Sequence, residues 1–287
     1  MRHLLSGTLA AALSLGSAAA QEPEWRSLFN GRDLTGWETW LGKPNKAIDV
    51  PGLERNAQGE YAGPLGLNKD PKGVYSVVGA DGTPALRLSG EIWGAITTLD
   101  EFENYHVKVE QKWGARKWPP RDGEKTPRDS GLLYHAVGPH GRGGTYWMRS
   151  FECQVREHEY GDFWSIDGAL VDVEAVNKDP QNPKSELIYK KGAPKVPGTT
   201  RRVLKESDGE RPAGEWNTIE IYCEGQTSVH VINGKVVMVL QGLRQRVDGR
   251  EVPLTKGRLQ LQSEGAEVFY RNMMIRPIRE IPREFLQ

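Results

Sequence analysis

Between Tyr105 and Trp113 the chain reads at a period of two. Tyr105, Val107, Val109, Gln111 and Trp113 fall on one face of an extended strand, and His106, Lys108, Glu110 and Lys112 on the other. The same period returns at 74–79, 84–89, 92–98, 130–137, 150–155, 168–176, 216–223, 227–232, 235–240, 257–264 and 266–275. Turn chemistry separates these runs. Asn233-Gly234 is a hairpin signal, and Gly265 joins the last two strands tightly. The chain's 33 glycines and 18 prolines supply the other turns and leave little room for long helices. About a dozen strands with turns at short intervals predict an all-β sandwich of two antiparallel sheets, a jelly roll with one polar, concave face.

Two stretches escape the pattern. Residues 41–73 carry scattered Gly, Pro and Asn without a period and read as a long loop, which in a compact domain is often functional. Residues 177–215 are rich in Pro, Lys and Gly and read as an excursion, because similar strands resume on either side. The basic segment 114–129 reads as a loop over the sheet. At the N-terminus, Arg2 and His3 precede an apolar run from Leu4 to Leu15, and Ala18 and Ala20 suit signal-peptidase cleavage before Gln21. The expectation is a signal peptide over 1–20, one domain over 21–287, and a periplasmic or secreted protein. That run is too short to span a bilayer. The 38 basic and 38 acidic residues balance, which gives no basis for a nucleic-acid or membrane partner. Cys153 and Cys223 sit among apolar residues at strand spacing. Export would permit a disulfide between them, and free core thiols are equally consistent.

The densest chemistry lies in Ser150–Trp164. Phe151, Cys153 and Val155 take one face of a strand; Glu152, Gln154 and Arg156 take the other. Glu157, His158, Glu159 and Asp162 follow, and Gly161 breaks the pattern. A carboxylate and an amide side by side on a face next to a turn are poor core design, so Glu152 and Gln154 are expected to be functional. Gln262 and Glu264 alternate in the same way on 257–264 and are candidates for the same face. Nine tryptophans offer platforms for a sugar ring, Trp164 among them.

Four stretches together resemble the 3-keto-disaccharide hydrolase domain family. They are Leu28-Phe29-Asn30-Gly31-Arg32-Asp33-Leu34-Thr35-Gly36-Trp37; Asp129-Ser130-Gly131-Leu132 before Phe151-Glu152-Cys153-Gln154; Glu215-Trp216-Asn217-Thr218 before Val231-Ile232-Asn233-Gly234; and 257–262 with Phe269-Tyr270-Arg271-Asn272. Two positions depart from the family's pattern. Asp129 stands where Asn is usual, and Ser263-Glu264 where Asp-His is frequent. The resemblance implies a concanavalin-like jelly roll and an exported enzyme that cleaves 3-keto-glycosides or 3-keto-disaccharides.

A ketone at carbon-3 acidifies the hydrogen on carbon-2, so a base can form an enolate that expels the glycosidic oxygen. Such a site needs a base, a stabiliser for the enolate oxygen and an acid for the leaving group. The candidates are Glu152, Glu157, His135 and His158 for proton transfer, with Glu264 as a further acid or base. Gln154, Gln262, Arg149, Arg271 and Trp164 are the candidates for holding the substrate. A divalent metal could stabilise the enolate, although no tight His/Cys ligand spacing is present. Two rival readings remain open. Glu152 to Glu157 also resembles the Glu-x-Asp-x-x-Glu signature of laminarinase-type retaining glycosidases, with Gln154 in place of the Asp. A lectin-like module without catalysis would suit the tryptophans.

Overall fold

A computed structural model describes residues 23–142 and 144–287, and the expected signal peptide therefore lies outside the described residues. Two sheets dominate. The first runs in the order Gly66–Leu67, Trp37–Leu41, Gly94–Thr98, Lys256–Ser263, Gly131–Val137, Arg149–Gln154 and Phe163–Ile166, all antiparallel. The second runs Tyr75–Ala80, Thr83–Leu88, Ala266–Pro277, Tyr105–Lys117, Asn217–Glu224, Thr227–Ile232 and Lys235–Val247, again antiparallel. The strand Leu170–Asn177 belongs to both. Its first half pairs with Lys235–Val247 and Lys195–Thr199, and its last residues pair with Leu187–Tyr189. The only helix among the described residues is Arg283–Leu286. The architecture is the expected jelly-roll sandwich.

The alternation in the sequence explains the core. Ile96, Leu261, Leu132, Cys153 and Phe163 stand opposite one another across five neighbouring strands of the first sheet. They pack in one cluster with Val107, Val109, Ile219, Ile221 and Tyr270 of the second sheet. Burying a Val, Leu, Ile or Phe side chain contributes about 1.5–3 kcal/mol, so this interlayer is the main stabilising term. Cys153 and Cys223 are both buried free thiols within it.

Three local results differ from the alternation. The pairing slips next to Tyr134-His135, where His135 adopts a left-handed φ of 50°. This bulge turns both Tyr134 and His135 toward the core, whereas a regular strand would put them on opposite faces. It also brings the backbone of His135 against Gly257, where a Cβ would sit 2.5 Å from the carbonyl carbon. His106, read as part of a charged face, is buried: Tyr222 stacks on it at 3.7 Å, and Glu220 Oε2 lies 2.8 Å from its Nε2. Finally, the 177–215 excursion contains three short strands, Leu187–Tyr189, Lys195–Thr199 and Val203–Leu204. They are too short to show a period.

Candidate active site

The polar face of the first sheet is built by the complementary set of residues. Thr97, Gln260, Leu133, Glu152 and Trp164 stand opposite one another across five strands. Gln154 lies two residues beyond Glu152 on the same face, opposite Gly131. Gly131 is small for a reason. A Cβ there would fall 2.3 Å from Glu152 Oε1 and 2.5 Å from Gln262 Oε1, so the two side chains meet above it. The Gln262 amide hydrogen-bonds to the Glu152 carboxyl.

Two further carboxyls close on this point. Arg121, from the loop over the sheet, binds Glu264 Oε1 at 2.6 Å through Nη2 and Asp129 Oδ2 at 2.7 Å through Nη1. Arg156 Nε lies 3.4 Å from the same Asp129 oxygen, and Arg156 Nη1 is 2.7 Å from Glu159 Oε1. Arg202 continues the series, 2.9 Å from Glu159 and 2.5 Å from Asp162. The result is an alternating row, Glu264–Arg121–Asp129–Arg156–Glu159–Arg202–Asp162. Glu152, 3% exposed, lies beside this row without a cation in contact among the described residues.

Burial sets the electrostatics. Desolvation pushes the Glu152 carboxyl well above its ordinary range, and the nearby charges of Glu264 and Asp129 push it further. Desolvation raises Glu264 to about 7 although Arg121 pulls it down. Asp129 is also raised, by desolvation first and then by Glu264, against the pull of Arg121 and Arg156. Three neighbouring carboxyls in a desolvated site do not all ionise at neutral pH. Of the three, only Glu264 and Asp129 have guanidinium partners, which favours the proton on Glu152.

Aromatic rings frame the cluster. The Arg121 guanidinium lies over the Trp93 ring at 5.2 Å, and Arg202 over Trp164 at 5.5 Å. Trp93, Tyr146 and Trp147 pack together with ring centroids 5.3–6.5 Å apart. The indole N–H groups of Trp93, Trp147 and Trp164 have no protein partner, nor do Gln262 Oε1 and Asp129 Oδ1. Buried polar atoms are normally satisfied, which makes this cluster the candidate ligand-binding surface.

The sequence candidates divide cleanly. Glu152, Gln154, Gln262, Glu264 and Trp164 come together. His135 does not join them: it is fully buried, its Nδ1 is 3.1 Å from the Leu254 carbonyl oxygen, and burial lowers its pKa to about 4. Glu157 accepts hydrogen bonds from the Arg128 backbone N–H and guanidinium, and Arg128 in turn reaches Gly114 O on the second sheet. Glu157 lies in the turn after the strand that ends at Gln154, and its carboxyl is taken up by Arg128. His158 sits exposed in the turn, with its backbone N–H donating to Glu210. Arg149 binds Asp167 and the Arg246 carbonyl at the far end of its strand, roughly 16 Å of extended chain from Gln154. Arg271 is on the second sheet, bound to Glu110 and stacked on Trp216 at 3.8 Å.

Arg121, Asp129, Trp93, Tyr146 and Trp147 are the residues that alternation alone does not single out. Asp129 and Glu264 do carry a signal, because they are the two departures from the family pattern and they bind the same arginine. Oxygen ligands for a divalent metal would have to come from this cluster. Among the described residues, however, no group of three or more His, Cys, Asp or Glu is arranged to hold one, and Arg121 already occupies two of the three carboxyls.

The model of the 3-keto-alpha-glucoside-1,2-lyase-like domain matches residues 24–276. Among solved structures, a provisionally assigned glycosyl hydrolase from Parabacteroides distasonis is 19% identical, with 89% of this chain and 100% of that chain covered at a TM-score of 0.46. A second such structure from the same organism is 18% identical, with 88% and 94% covered at 0.44. A β-glucanase from Bacillus licheniformis is 10% identical, with 91% and 100% covered at 0.39. No curated protein matches the chain.

Proposed function

The chain belongs to the 3-keto-alpha-glucoside-1,2-lyase-like domain family, and from that premise we propose that it cleaves 3-keto-glycosides by elimination across carbons 1 and 2. The observation that carries this reading is the burial of Glu152 and Glu264 within one carboxyl cluster. One of these carboxyls is held protonated and the other is poised to ionise near neutral pH. The Glu264 carboxylate removes the hydrogen from carbon-2. The electron pair forms a carbon-2–carbon-3 double bond, and charge moves to the carbon-3 oxygen. When the ketone reforms, a carbon-1–carbon-2 double bond forms, the bond from carbon-1 to the glycosidic oxygen breaks, and Glu152 gives that oxygen its proton. Glu264 ends protonated and Glu152 ionised. A single proton transfer between the neighbours restores the starting state, and addition of water to the enone makes the overall change a hydrolysis.

The amides of Gln154 and Gln262 and the unpartnered indole N–H groups are the neutral donors available to the enolate and ring hydroxyls. Arg121 positions Glu264 and limits how far its pKa rises. The two-carboxylate glycosidase reading is disfavoured, because the Glu157 carboxyl is committed to Arg128. If Met1–Ala20 is a cleaved leader, the reaction takes place in the periplasm or outside the cell.

The test is a comparison of a β-glucoside with its 3-keto derivative, the latter also deuterated at carbon-2. Cleavage of the keto compound alone, slowed by deuterium and abolished by Glu152→Gln, is the expected result. Cleavage of the unoxidised glucoside, or binding of both without turnover, defeats the proposal.

A further inference from the structure

At the end of the first sheet remote from Gln154 lies a cleft of about 340 Å³ that the chemistry above does not use. Three arginines from separate stretches line it. Arg142 comes from the loop that precedes Arg149–Gln154, and Arg149 from the start of that strand. Arg246 comes from the hairpin of Lys235–Val247 and Arg250–Pro253. Asp248, in the turn of that hairpin, is the single carboxylate of the lining among the described residues. We propose that this cleft is an anion site for a small molecule that carries a phosphate or sulfate group. The site is separate from the carboxyl cluster and does not depend on the elimination reading.

The floor is rigid. Arg149, 14% exposed, ties three segments together: its Nε is 3.0 Å from both Asp167 O and Asp167 Oδ2, and its Nη1 is 3.0 Å from Arg246 O and 3.3 Å from Gln245 Oε1. Arg142 and Arg246 are the exposed arms. Arg142 meets the same Asp167 oxygen through Nε, and Arg246 meets Glu251 through Nη2 at 3.1 Å. An arginine carries five N–H donors, so both arms keep donors for a ligand. Within the lining, three guanidiniums face one carboxylate. Asp167 and Glu251 offset part of that charge, but each is divided between two arginines: Arg142 with Arg149, and Arg244 with Arg246. A tetrahedral oxyanion accepts several hydrogen bonds at once and matches the planar guanidinium fork. The volume exceeds what an inorganic ion fills and lies within the range of small-molecule sites, about 300–1,000 Å³.

Calorimetric titration of the full chain with inorganic phosphate and with inorganic sulfate, at fixed ionic strength, tests this. Saturable heat is expected from both ions. The tighter of the two identifies the ester, and either order supports the site. Arg142→Gln and Arg246→Gln should each weaken binding at least fivefold, and Asp248→Asn should strengthen it. No saturable heat from either ion, or the same affinity in all three variants, overturns the assignment. Thermal melting supplies a second readout, because a ligand of the folded state raises the melting temperature. Phosphate should raise that of wild type more than that of Arg246→Gln. An equal rise in both would be a bulk salt effect and would also count against the site. Neither measurement uses a keto sugar, so the result stands whether or not the chain cleaves one.

Discussion

Glu264 is a place where the fold gives up stability, and the loss can be measured. Its ordinary pKa of 4.5 rises to about 7 in the folded chain, with desolvation as the largest cause. The folded state therefore binds the proton more tightly than the unfolded state, and stability falls as pH rises from about 4.5 to 7. At about 1.4 kcal/mol per pH unit, ionising Glu264 costs the native state about 3 kcal/mol above pH 7. Glutamine has the shape of the protonated acid and cannot ionise. Glu264→Gln should thus match wild type near pH 4 and exceed it by about 3 kcal/mol at pH 8. Removing this charge also relieves Glu152 and Asp129, both of which it pushes up, so the neighbours add to the gain in the same direction. Activity should be lost, because the variant has no base. The measurement is urea unfolding of both proteins from pH 4 to 8, followed by tryptophan fluorescence. A stability difference that stays flat across that range would refute the placement of a desolvated, ionisable carboxyl at 264.

Two other perturbations read different parts of the structure. Gly131→Ala puts a methyl group 2.3 Å from Glu152 Oε1, and the carboxyl and Gln262 must move apart. Activity should fall by roughly 10²-fold, as for an ångström-scale misplacement, while overpacking costs about 1–3 kcal/mol of stability. Steady-state kinetics and thermal melting check both, and full activity would place the reacting groups elsewhere. Buried His135 and His230 have pKa values lowered to about 4. Each contributes stability that is complete above about pH 6.5 and is lost as pH falls toward 4, about 3 kcal/mol apiece. Replacing His135 by Asn, which tolerates its left-handed backbone, should flatten that acid-side loss in chemical denaturation; an unchanged profile would mean that the histidine is not buried neutral.

The sheets were legible because alternation is a local property. Phe151, Cys153 and Val155 separate from Glu152 and Gln154 in the sequence just as they do in space, since strand side chains alternate between faces. Glu152 and Gln262 were legible for the same reason, but only as members of a face. What alternation cannot encode is a change of phase. The bulge at His135 needs one extra residue opposite the partner strand, and nothing in Leu133-Tyr134-His135 announces it. Nor can it encode loops that return over a sheet. Arg121 lies in an aperiodic basic segment, yet its two contacts determine which carboxyls stay charged. His158 is the converse case. It follows the active strand directly in sequence, but the tight turn at 156–159 takes it away from the face that Glu152 occupies.

The alternating row of charges explains why Glu152, and not another carboxyl, holds the proton. Glu264, Asp129, Glu159 and Asp162 are tied to Arg121, Arg156 and Arg202 by contacts of 2.5–3.4 Å. Each guanidinium touches two carboxyls, so the contacts hold the row in position. It contains more carboxyls than guanidiniums, and adding Glu152 widens the deficit. A fully ionised cluster would bury uncompensated negative charge, so protons must reside there at neutral pH. They settle first where no guanidinium competes, which is Glu152, while Glu264, which shares Arg121 with Asp129, is raised to about 7. An acid and a base side by side thus follow from a shortage of arginine. A cation added within reach of Glu152 would deprive the site of its acid even if every contact to the sugar survived.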